Sequence, residues 1–78
     1  MYTNDLIRFI AQTMVDSPGE VSVSSIEGDQ IKVLELKVAK NDLGKVIGKQ
    51  GRNAQAIRTI LSAVSAKVKK RMILEIVE

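Results

Sequence analysis

Val46-Ile47-Gly48-Lys49-Gln50-Gly51-Arg52 is the most informative segment of this 78-residue chain. It sets two glycines around two polar residues, after an apolar pair and before a segment with helical periodicity. Glycine reaches positive φ angles without a steric clash, so this spacing predicts a tight turn between two helices. Because the corners of such a turn carry no side chains, a sugar–phosphate backbone can approach the main chain closely.

The residues before this segment predict one helix and a β-hairpin. Thr3 and the polar residues after it suit a helix start, and Pro18 ends the helical pattern. Two alternating runs separated by Gly28 and Asp29 predict the hairpin. The second run, residues 30–39, changes parity midway, which predicts either a bulge or a change of the buried face. The apolar stripe of the helix consists of Leu6, Ile7, Ile10, Ala11, Met14 and Val15.

The residues after residue 40 predict two helices and a strand. Asn41 or Asp42 is expected to cap a short helix that leads into the turn. A second helix is expected over residues 52–66, and a final strand alternates from Met72 onward. The apolar side of the second helix is formed by Ile57, Ile60, Leu61 and Val64. The order α-β-β-α-α-β predicts an α+β fold with a three-stranded sheet and one domain over residues 1–78.

The composition argues against an enzyme, a metal site or a cofactor site. The sequence contains no cysteine and no histidine, so thiolate and imidazole ligands and the usual catalytic bases are missing. A chain this short has little apolar material for a large internal cavity. It also lacks an apolar run of about 20 residues and a recognisable signal peptide. We therefore expect a cytoplasmic protein that acts through its surface and does not bind membranes.

Charge is distributed unevenly along the chain. The first 39 residues carry three basic and six acidic side chains, whereas the remaining 39 carry nine basic and three acidic ones. The second half should therefore attract polyanions. The run Lys69-Lys70-Arg71 is expected to be either a solvated charge cluster or a general attractor for polyanions, with no specific contact.

The glycine-containing turn suits a phosphate ligand. Amide groups at the start of the following helix carry partial positive charge, and Lys45, Lys49 and Arg52 add cations nearby. A nucleotide-binding P-loop is excluded, since that motif needs four residues between its first two glycines and a hydroxyl after its lysine. Here Gly44 and Gly48 enclose three residues, and Gln50 stands where the hydroxyl should be.

Residues 46–52, followed by Ile57, resemble the signature of the KH family: an apolar pair, a G-x-x-G loop and a helix with an apolar anchor. The predicted element order resembles the type II, bacterial arrangement of that family. Residues 42–52 and 74–78 are similar to the small stand-alone bacterial KH proteins of the KhpA family, and the likeness covers nearly the whole chain. The resemblance implies a single type II KH domain with its helices on one face of the sheet.

The resemblance also implies a function. The chain is expected to clamp single-stranded RNA in a narrow groove between the loop Gly48-Lys49-Gln50-Gly51 and the edge of the sheet. With only Tyr2 and Phe9 as aromatic residues, an RRM or OB-type stacking surface is disfavoured. The expected RNA-binding residues are Lys45, Ile47, Gly48, Lys49, Gln50, Gly51 and Arg52.

Two functional classes remain open at this point. The first is an RNA chaperone or post-transcriptional regulator that acts as a dimer. The second is a protein-interaction adaptor, in which the KH fold serves mainly as a dimerisation surface. The resemblance implies a homodimer, a heterodimer with a larger Jag-type KH protein (KhpB-like), or both. The salt dependence of RNA binding should separate the two classes.

Overall fold

The computed structural model describes residues 3–78, and its elements follow the predicted order. The helices and strands are α1 (Thr3–Met14), β1 (Ser22–Glu27), β2 (Ile31–Lys37), α2 (Leu43–Ile47), α3 (Arg52–Val68) and β3 (Arg71–Val77). Short 3-10 turns lie at Pro18–Glu20, Lys40–Asp42 and Lys49–Gly51. The α+β class and the α-β-β-α-α-β order are confirmed.

The three strands form one mixed sheet in the order β1-β2-β3. β1 and β2 form the predicted antiparallel hairpin, from Ser22 opposite Lys37 to Glu27 opposite Lys32. β3 lies parallel to β2 and leaves its other side as an edge of the sheet. The connection between β2 and β3 contains α2, the glycine turn and α3, as a parallel crossover requires.

The parity change in β2 is a change of buried face. Both ladders keep one constant register along β2, without an inserted residue. Leu34 and Leu36 are fully buried, and Val38 beyond the strand end is nearly so. Ile31 and Val33 have the opposite parity and therefore lie on the other side of the sheet. Of the two explanations open from the sequence, the bulge is wrong.

All three helices cover the face of the sheet that carries Leu34, Leu36 and Leu74. The core that they share contains Ile7 and Ala11 from α1, Val46 from α2, and Ile57 and Leu61 from α3. The prediction of helices packed on one face is therefore confirmed. Ile60 departs from its predicted place on the apolar side of α3, since 37% of it is exposed. Among the described helices, none has the length and apolar character to cross a bilayer.

A buried carboxylate holds α2 against the end of α1. Asp42 is only 1% exposed, and its oxygens accept hydrogen bonds from the backbone amides of Asp16 (3.2 Å) and Ser17 (3.0 Å). Lys45 Nζ lies 3.4 Å from the same carboxylate. Asp42 is the N-cap residue of α2, as one of the two expected alternatives, but its carboxylate makes no hydrogen bond to the helix amides and binds the chain after α1 instead.

The pKa of Asp42 reflects these contacts. Burial alone would raise the pKa of this carboxyl, but the two amides and the Lys45 ammonium outweigh burial and hold it below its usual range. Because the pKa is lower in the folded state, the ionised carboxylate stabilises the fold fully at pH values above its unfolded pKa of about 3.9. This stabilisation is lost as the pH falls through the lower pKa of the folded state.

We expect Asp42→Asn to lower the free energy of unfolding at neutral pH, because one amide donor and Lys45 lose a charged acceptor. The variant should also lose less stability than the wild type when the pH falls below about 4. Urea unfolding at neutral and acidic pH measures both effects. Asp29→Asn, at an exposed position in the β1–β2 turn, is the control and should behave as wild type. Equal stability of the Asp42 variant and the wild type at neutral pH would contradict this account.

Candidate nucleic-acid interface

The loop at residues 48–51, called here the G-x-x-G loop, has the predicted left-handed backbone. Gly48, Gln50 and Gly51 have φ angles of 78°, 58° and 74°. The Gly48 amide donates to the Gly44 carbonyl at 2.8 Å and ends α2, and the Gly51 amide donates to the Gly48 carbonyl at 3.1 Å. The prediction of a tight turn with positive φ angles is confirmed.

Gly48 is required both by its φ angle and by a close neighbour. The Asn53 side chain reaches back from the first turn of α3 and donates from Nδ2 to the Lys45 carbonyl at 2.8 Å. A Cβ on Gly48 would lie 2.6 Å from Asn53 Cγ, which is far too close. Asn53 thus satisfies a carbonyl at the end of α2 and fixes the angle between the two helices. The sequence analysis did not identify this role of Asn53. An amide side chain directly after a glycine turn could have indicated it, because such a side chain can donate to a carbonyl at the end of the preceding helix.

Exposed cations lie in the loop and directly after it. Lys49, Gln50 and Arg52 are exposed, and Arg52 Nη2 donates to Gln50 Oε1 at 3.1 Å. Among the ion pairs of residues 3–78, none involves Lys49 or Arg52. No side chain in this described part caps the amides at the start of α3, where Gly51 is the N-cap. The loop therefore combines two unneutralised cations with helix amides that suit an anion.

Lys45 is placed differently from the other two cations. Its ammonium pairs with Asp16 and with Asp42. The hydrogen bond to Asp16, followed by the contact with Asp42, raises the pKa of Lys45 despite partial burial. The positive charge of Lys45 is therefore largely balanced within the protein, and its side chain holds α2 in place.

The two isoleucines near the loop have different environments. Ile47, at the end of α2, is 37% exposed and lies beside the G-x-x-G loop. Ile57 is fully buried in the core. Of the predicted RNA-binding set, six residues are contiguous along the end of α2, the loop and the start of α3, whereas Lys45 faces the acidic pair.

A cleft of about 240 Å³ lies between α3 and β3. Its lining consists of Arg58, Leu61, Ser62, Arg71, Met72, Ile73 and Leu74. Gln55, Arg58 and Ser62 are exposed and spaced three and four residues apart, so they form a polar stripe along α3. The stripe begins one turn after the loop and ends at the cleft. Sequence reasoning missed Arg58 and Ser62, since the packing of α3 against an edge strand follows only from the sheet order.

The edge strand presents main-chain groups to this cleft. The Arg71 amide donates to the Gln30 carbonyl at 3.0 Å, and the Val77 carbonyl accepts from the Val38 amide at 3.2 Å. In a parallel ladder, alternate residues direct both backbone groups to the neighbouring strand. The amide and carbonyl of Met72 and of Leu74 therefore point away from β2, toward the open edge.

The basic run before β3 is partly neutralised. Lys70 Nζ lies 3.2 Å from a Glu27 carboxylate oxygen, and Lys32 lies 3.8 Å from the other. The hydrogen bond from Lys70 is the main reason why the pKa of Glu27 is lowered. This contact ties the α3–β3 turn to the end of β1, so Lys70 is not simply a solvated charge. Within residues 3–78, no group of three acidic side chains is arranged to hold a metal ion.

Comparison with known proteins places the chain in a family. Residues 4–76 match the family described as "KhpA/KhpB, KH domain". The chain belongs to the KhpA/KhpB family of KH domains. The curated relatives are named RNA-binding proteins, and the family is not enzymatic.

Similar KhpA proteins occur in several bacteria. The RNA-binding protein KhpA of Caldanaerobacter subterraneus subsp. tengcongensis is 55% identical, over 94% of this chain and 97% of the relative. KhpA of Clostridium acetobutylicum is 54% identical, over 92% of this chain and 96% of the relative. KhpA of Aquifex aeolicus is 50% identical, over 95% of this chain and 94% of the relative. The family expected from the loop and its flanks is confirmed.

Solved structures share the fold. A crystal structure of Era in complex with MgGDPNP and nucleotides 1506–1542 of 16S ribosomal RNA matches with a TM-score of 0.61 and 19% identity. The match covers 95% of this chain but only 28% of that one. A structure of Aquifex aeolicus Era bound to GDP.AlF4- matches similarly, with a TM-score of 0.60, 20% identity and 29% of that chain covered. The KH domain described here therefore corresponds in fold to one part of a larger protein.

We expect Gly48→Ala to destabilise the protein by about 1–3 kcal/mol, because it combines an unfavourable left-handed φ with a clash against Asn53. Gly44→Ala is the matched control. Gly44 lies in α2 with open space around the added methyl group, so alanine should stabilise the helix by roughly 0.5–1 kcal/mol. Chemical denaturation measures both. Equal effects of the two substitutions would refute the assigned role of Gly48.

Proposed function

We propose that this KH domain binds single-stranded RNA, with the G-x-x-G loop on the phosphate backbone and the bases in the cleft between α3 and β3. The observation that carries the proposal is the loop itself. It combines a left-handed backbone, the first amides of α3 and two cations without acidic partners among the described residues. The polar stripe of α3 that begins one turn after the loop includes Arg58 and Ser62, which line the cleft. The names of the relatives, which are RNA-binding proteins, support the same ligand.

The loop provides the electrostatic half of the proposed site. A phosphate beside Gly48 and Gly51 meets main chain instead of side chains, so it can approach the amides closely. Lys49 supplies a mobile charge, and Arg52 supplies a planar guanidinium that Gln50 helps to orient at 3.1 Å. Lys45 acts indirectly in this proposal, since its ion pairs with Asp16 and Asp42 position α2.

The cleft provides the half that selects single strands. Its lining is aliphatic at Leu61, Met72 and Leu74, which suits base faces without an aromatic platform. The backbone groups of Met72 and Leu74 that point to the open edge can pair with base edges, as another strand would. Arg58 adds a cation on the opposite wall. A volume of about 240 Å³ holds parts of a few nucleotides and is much too small for a duplex.

The biological role follows from the weakness of a single small clamp. A clamp on about four nucleotides binds weakly alone, and two linked clamps raise the effective concentration. We therefore propose an RNA chaperone or post-transcriptional regulator that acts as a dimer. The proposed partner is a second copy or a larger KhpB-like protein, and the match to a family that includes both KhpA and KhpB supports the latter.

One feature favours the adaptor function as a second candidate. Ile26 and Ile31 are exposed on the side of the sheet opposite the helices. Exposed apolar side chains on a sheet face suit contact with another protein rather than with RNA. The adaptor function predicts stable pairing without measurable RNA binding.

Lys49→Asp combined with Gln50→Asp should abolish RNA binding and leave the melting temperature unchanged. Both side chains are exposed, and the change replaces one cation by two anions where phosphates would lie. Lys40→Asp with Asn41→Asp is the matched control, since it makes the same charge change at exposed positions at the other end of α2. The control should retain most of the affinity in physiological salt, where distant charges are screened. Wild-type affinity of the loop variant in a fluorescence anisotropy titration would rule out the proposed site.

Single-stranded RNA should bind well ahead of a duplex of the same sequence, with modest salt dependence. Each neutralised phosphate on a single strand contributes about −0.7 to the slope of log affinity against log salt concentration. Lys49, Arg52 and Arg58, at one phosphate each, therefore give a slope of about −2. Titration of a labelled strand and its duplex at several salt concentrations measures both quantities. Equal affinity for the duplex with a much steeper slope would instead indicate diffuse binding by the basic run at residues 67–71.

A further inference from the structure

The cleft between α3 and β3 is closed at the end farthest from the G-x-x-G loop. α3 ends at Val68 and β3 begins at Arg71, so only Lys69 and Lys70 separate the helix from the strand. Because α3 packs along β3 after so short a connection, the chain reverses direction across this end of the cleft. An RNA strand that enters the cleft beside the loop, as in the proposed function, therefore meets a turn of the main chain at the other end.

Hydrogen bonds and an ion pair hold this turn. Lys69 has a φ angle of 58°, in the left-handed region, and its amide donates to the Ser65 carbonyl. The Lys70 amide donates to the same carbonyl at 3.3 Å, and Ser65 Oγ donates to the Lys70 carbonyl at 2.6 Å. Lys70 Nζ also lies 3.2 Å from a carboxylate oxygen of Glu27 at the end of β1. The closed end is thus a defined part of the fold.

Polar side chains line the closed end. Ser62 and Arg71 are the lining residues nearest the turn, on the helix wall and on the strand wall. Both are exposed, and Arg58 lies one turn before Ser62 on the same side of α3. Among the ion pairs of residues 3–78, none involves Arg58 or Arg71. The two arginines are therefore available to an anionic ligand, whereas Lys70 is held by Glu27.

The distance from the loop to the closed end matches a short stretch of RNA. Arg52 and Ser62 are ten positions apart on α3, which corresponds to about 15 Å at 1.5 Å per residue. Stacked nucleotides follow one another at about 3.4 Å, so roughly four nucleotides cover this distance. A strand whose phosphates contact the loop therefore reaches Ser62 and Arg71 about four nucleotides later.

We propose that the closed end of the cleft binds a terminal phosphate of the RNA, so that the domain prefers strands that end in a phosphate monoester. The inference rests on the proposed function and adds the chemistry of the strand end. A monoester carries a charge of about −1.5 to −2 at neutral pH, whereas a phosphodiester within the strand carries a single negative charge. Arg58 and Arg71 can each bind a phosphate through two parallel N–H groups, and Ser62 Oγ can donate to a further oxygen.

An internal phosphodiester fits this position less well. The strand would have to continue beyond it, and the turn at Lys69 and Lys70 blocks the way along the cleft. The strand would instead leave over the edge of β3 and lose its contact with the lining. A strand end needs no exit, and its additional negative charge lies between two guanidinium groups that suit a dianion.

Isothermal titration calorimetry of the protein with unlabelled hexanucleotides tests the proposal. One sequence is used in three forms, with hydroxyl groups at both ends, with a 5′-phosphate, or with a 3′-phosphate. One phosphorylated form should bind about tenfold more tightly than the hydroxyl form, since it adds charge-assisted hydrogen bonds. The other should stay within about twofold of the hydroxyl form, because its phosphate lies far from the closed end and is screened. The form that gains affinity identifies the bound end.

Two substitutions should reduce this preference, measured as the ratio of the affinities for the phosphorylated and hydroxyl forms. Arg71→Gln removes the cation on the strand wall and should bring the ratio close to one. Ser62→Ala removes one donor and should lower the ratio about threefold, while alanine preserves the helix. Lys37→Gln is the matched control, since it removes the same charge at an exposed position at the other end of the sheet. It should keep the wild-type ratio.

The outcomes separate this inference from the proposed function. Equal affinity of the wild type for all three strands would overturn the inference and leave the proposed function intact. Equal gains from a phosphate at either end would overturn it as well, because general charge attraction behaves in that way. So would a preference that survives both Arg71→Gln and Ser62→Ala, since the phosphate would then lie elsewhere. If no strand binds in any form, the proposed function fails, and this inference fails with it.

Discussion

The close approach of Gly48 to Asn53 is the constraint on which the site depends. Gly48 has only a hydrogen atom where other residues have a Cβ, and this leaves room for the Asn53 side chain to reach the Lys45 carbonyl. That hydrogen bond joins the end of α2 to the first turn of α3. The chain can then turn from α2 into α3 within four residues, three of which have positive φ angles. The same turn places the first residues of α3 beside the exposed loop and lets α3 pack along β3. A loop without this contact would leave the two helices free to adopt other angles.

Charge pairing separates structural cations from those available to a ligand. Lys45 is held by Asp16 and Asp42, and Lys70 is held by Glu27. These pairs connect α2 to the end of α1 and the α3–β3 turn to β1. Lys49, in the loop, and Arg52, directly after it, take part in no ion pair among the described residues. The net basic charge of the second half is therefore less informative than the position of the cations that lack acidic partners.

Much of the fold could be predicted because its signals are local. The hairpin follows from alternation around Gly28, the left-handed turn from the spacing of Gly48 and Gly51, and the buried face of α3 from Ile57 and Leu61. Whether the parity change in β2 meant a bulge or a change of buried face could be decided only from the pairing registers of β2 with β1 and β3. Periodicity within one strand does not determine those registers.

The rest of the site depends on contacts between distant segments. From the sequence, Asp42 is predicted only as a helix cap. In the structure its carboxylate accepts hydrogen bonds from the amides of Asp16 and Ser17, about 25 residues earlier in the chain. The ion pair of Lys45 and the role of Arg58 in the cleft likewise need the packing of α1 against α2 and of α3 against β3. The G-x-x-G loop was evident because all its parts are neighbours in sequence.

The central claim is that RNA occupies the loop and the cleft together, and amide chemical shifts test it most directly. A two-dimensional ¹H–¹⁵N NMR titration with a short single-stranded RNA reports every backbone amide at once. The account predicts shifts at residues 47–53, along the polar stripe of α3, and at Met72 to Leu74. Ser24 and Val33, on the face of the sheet opposite the helices, should be unchanged. Shifts confined to residues 67–71, or centred on that opposite face, would contradict it.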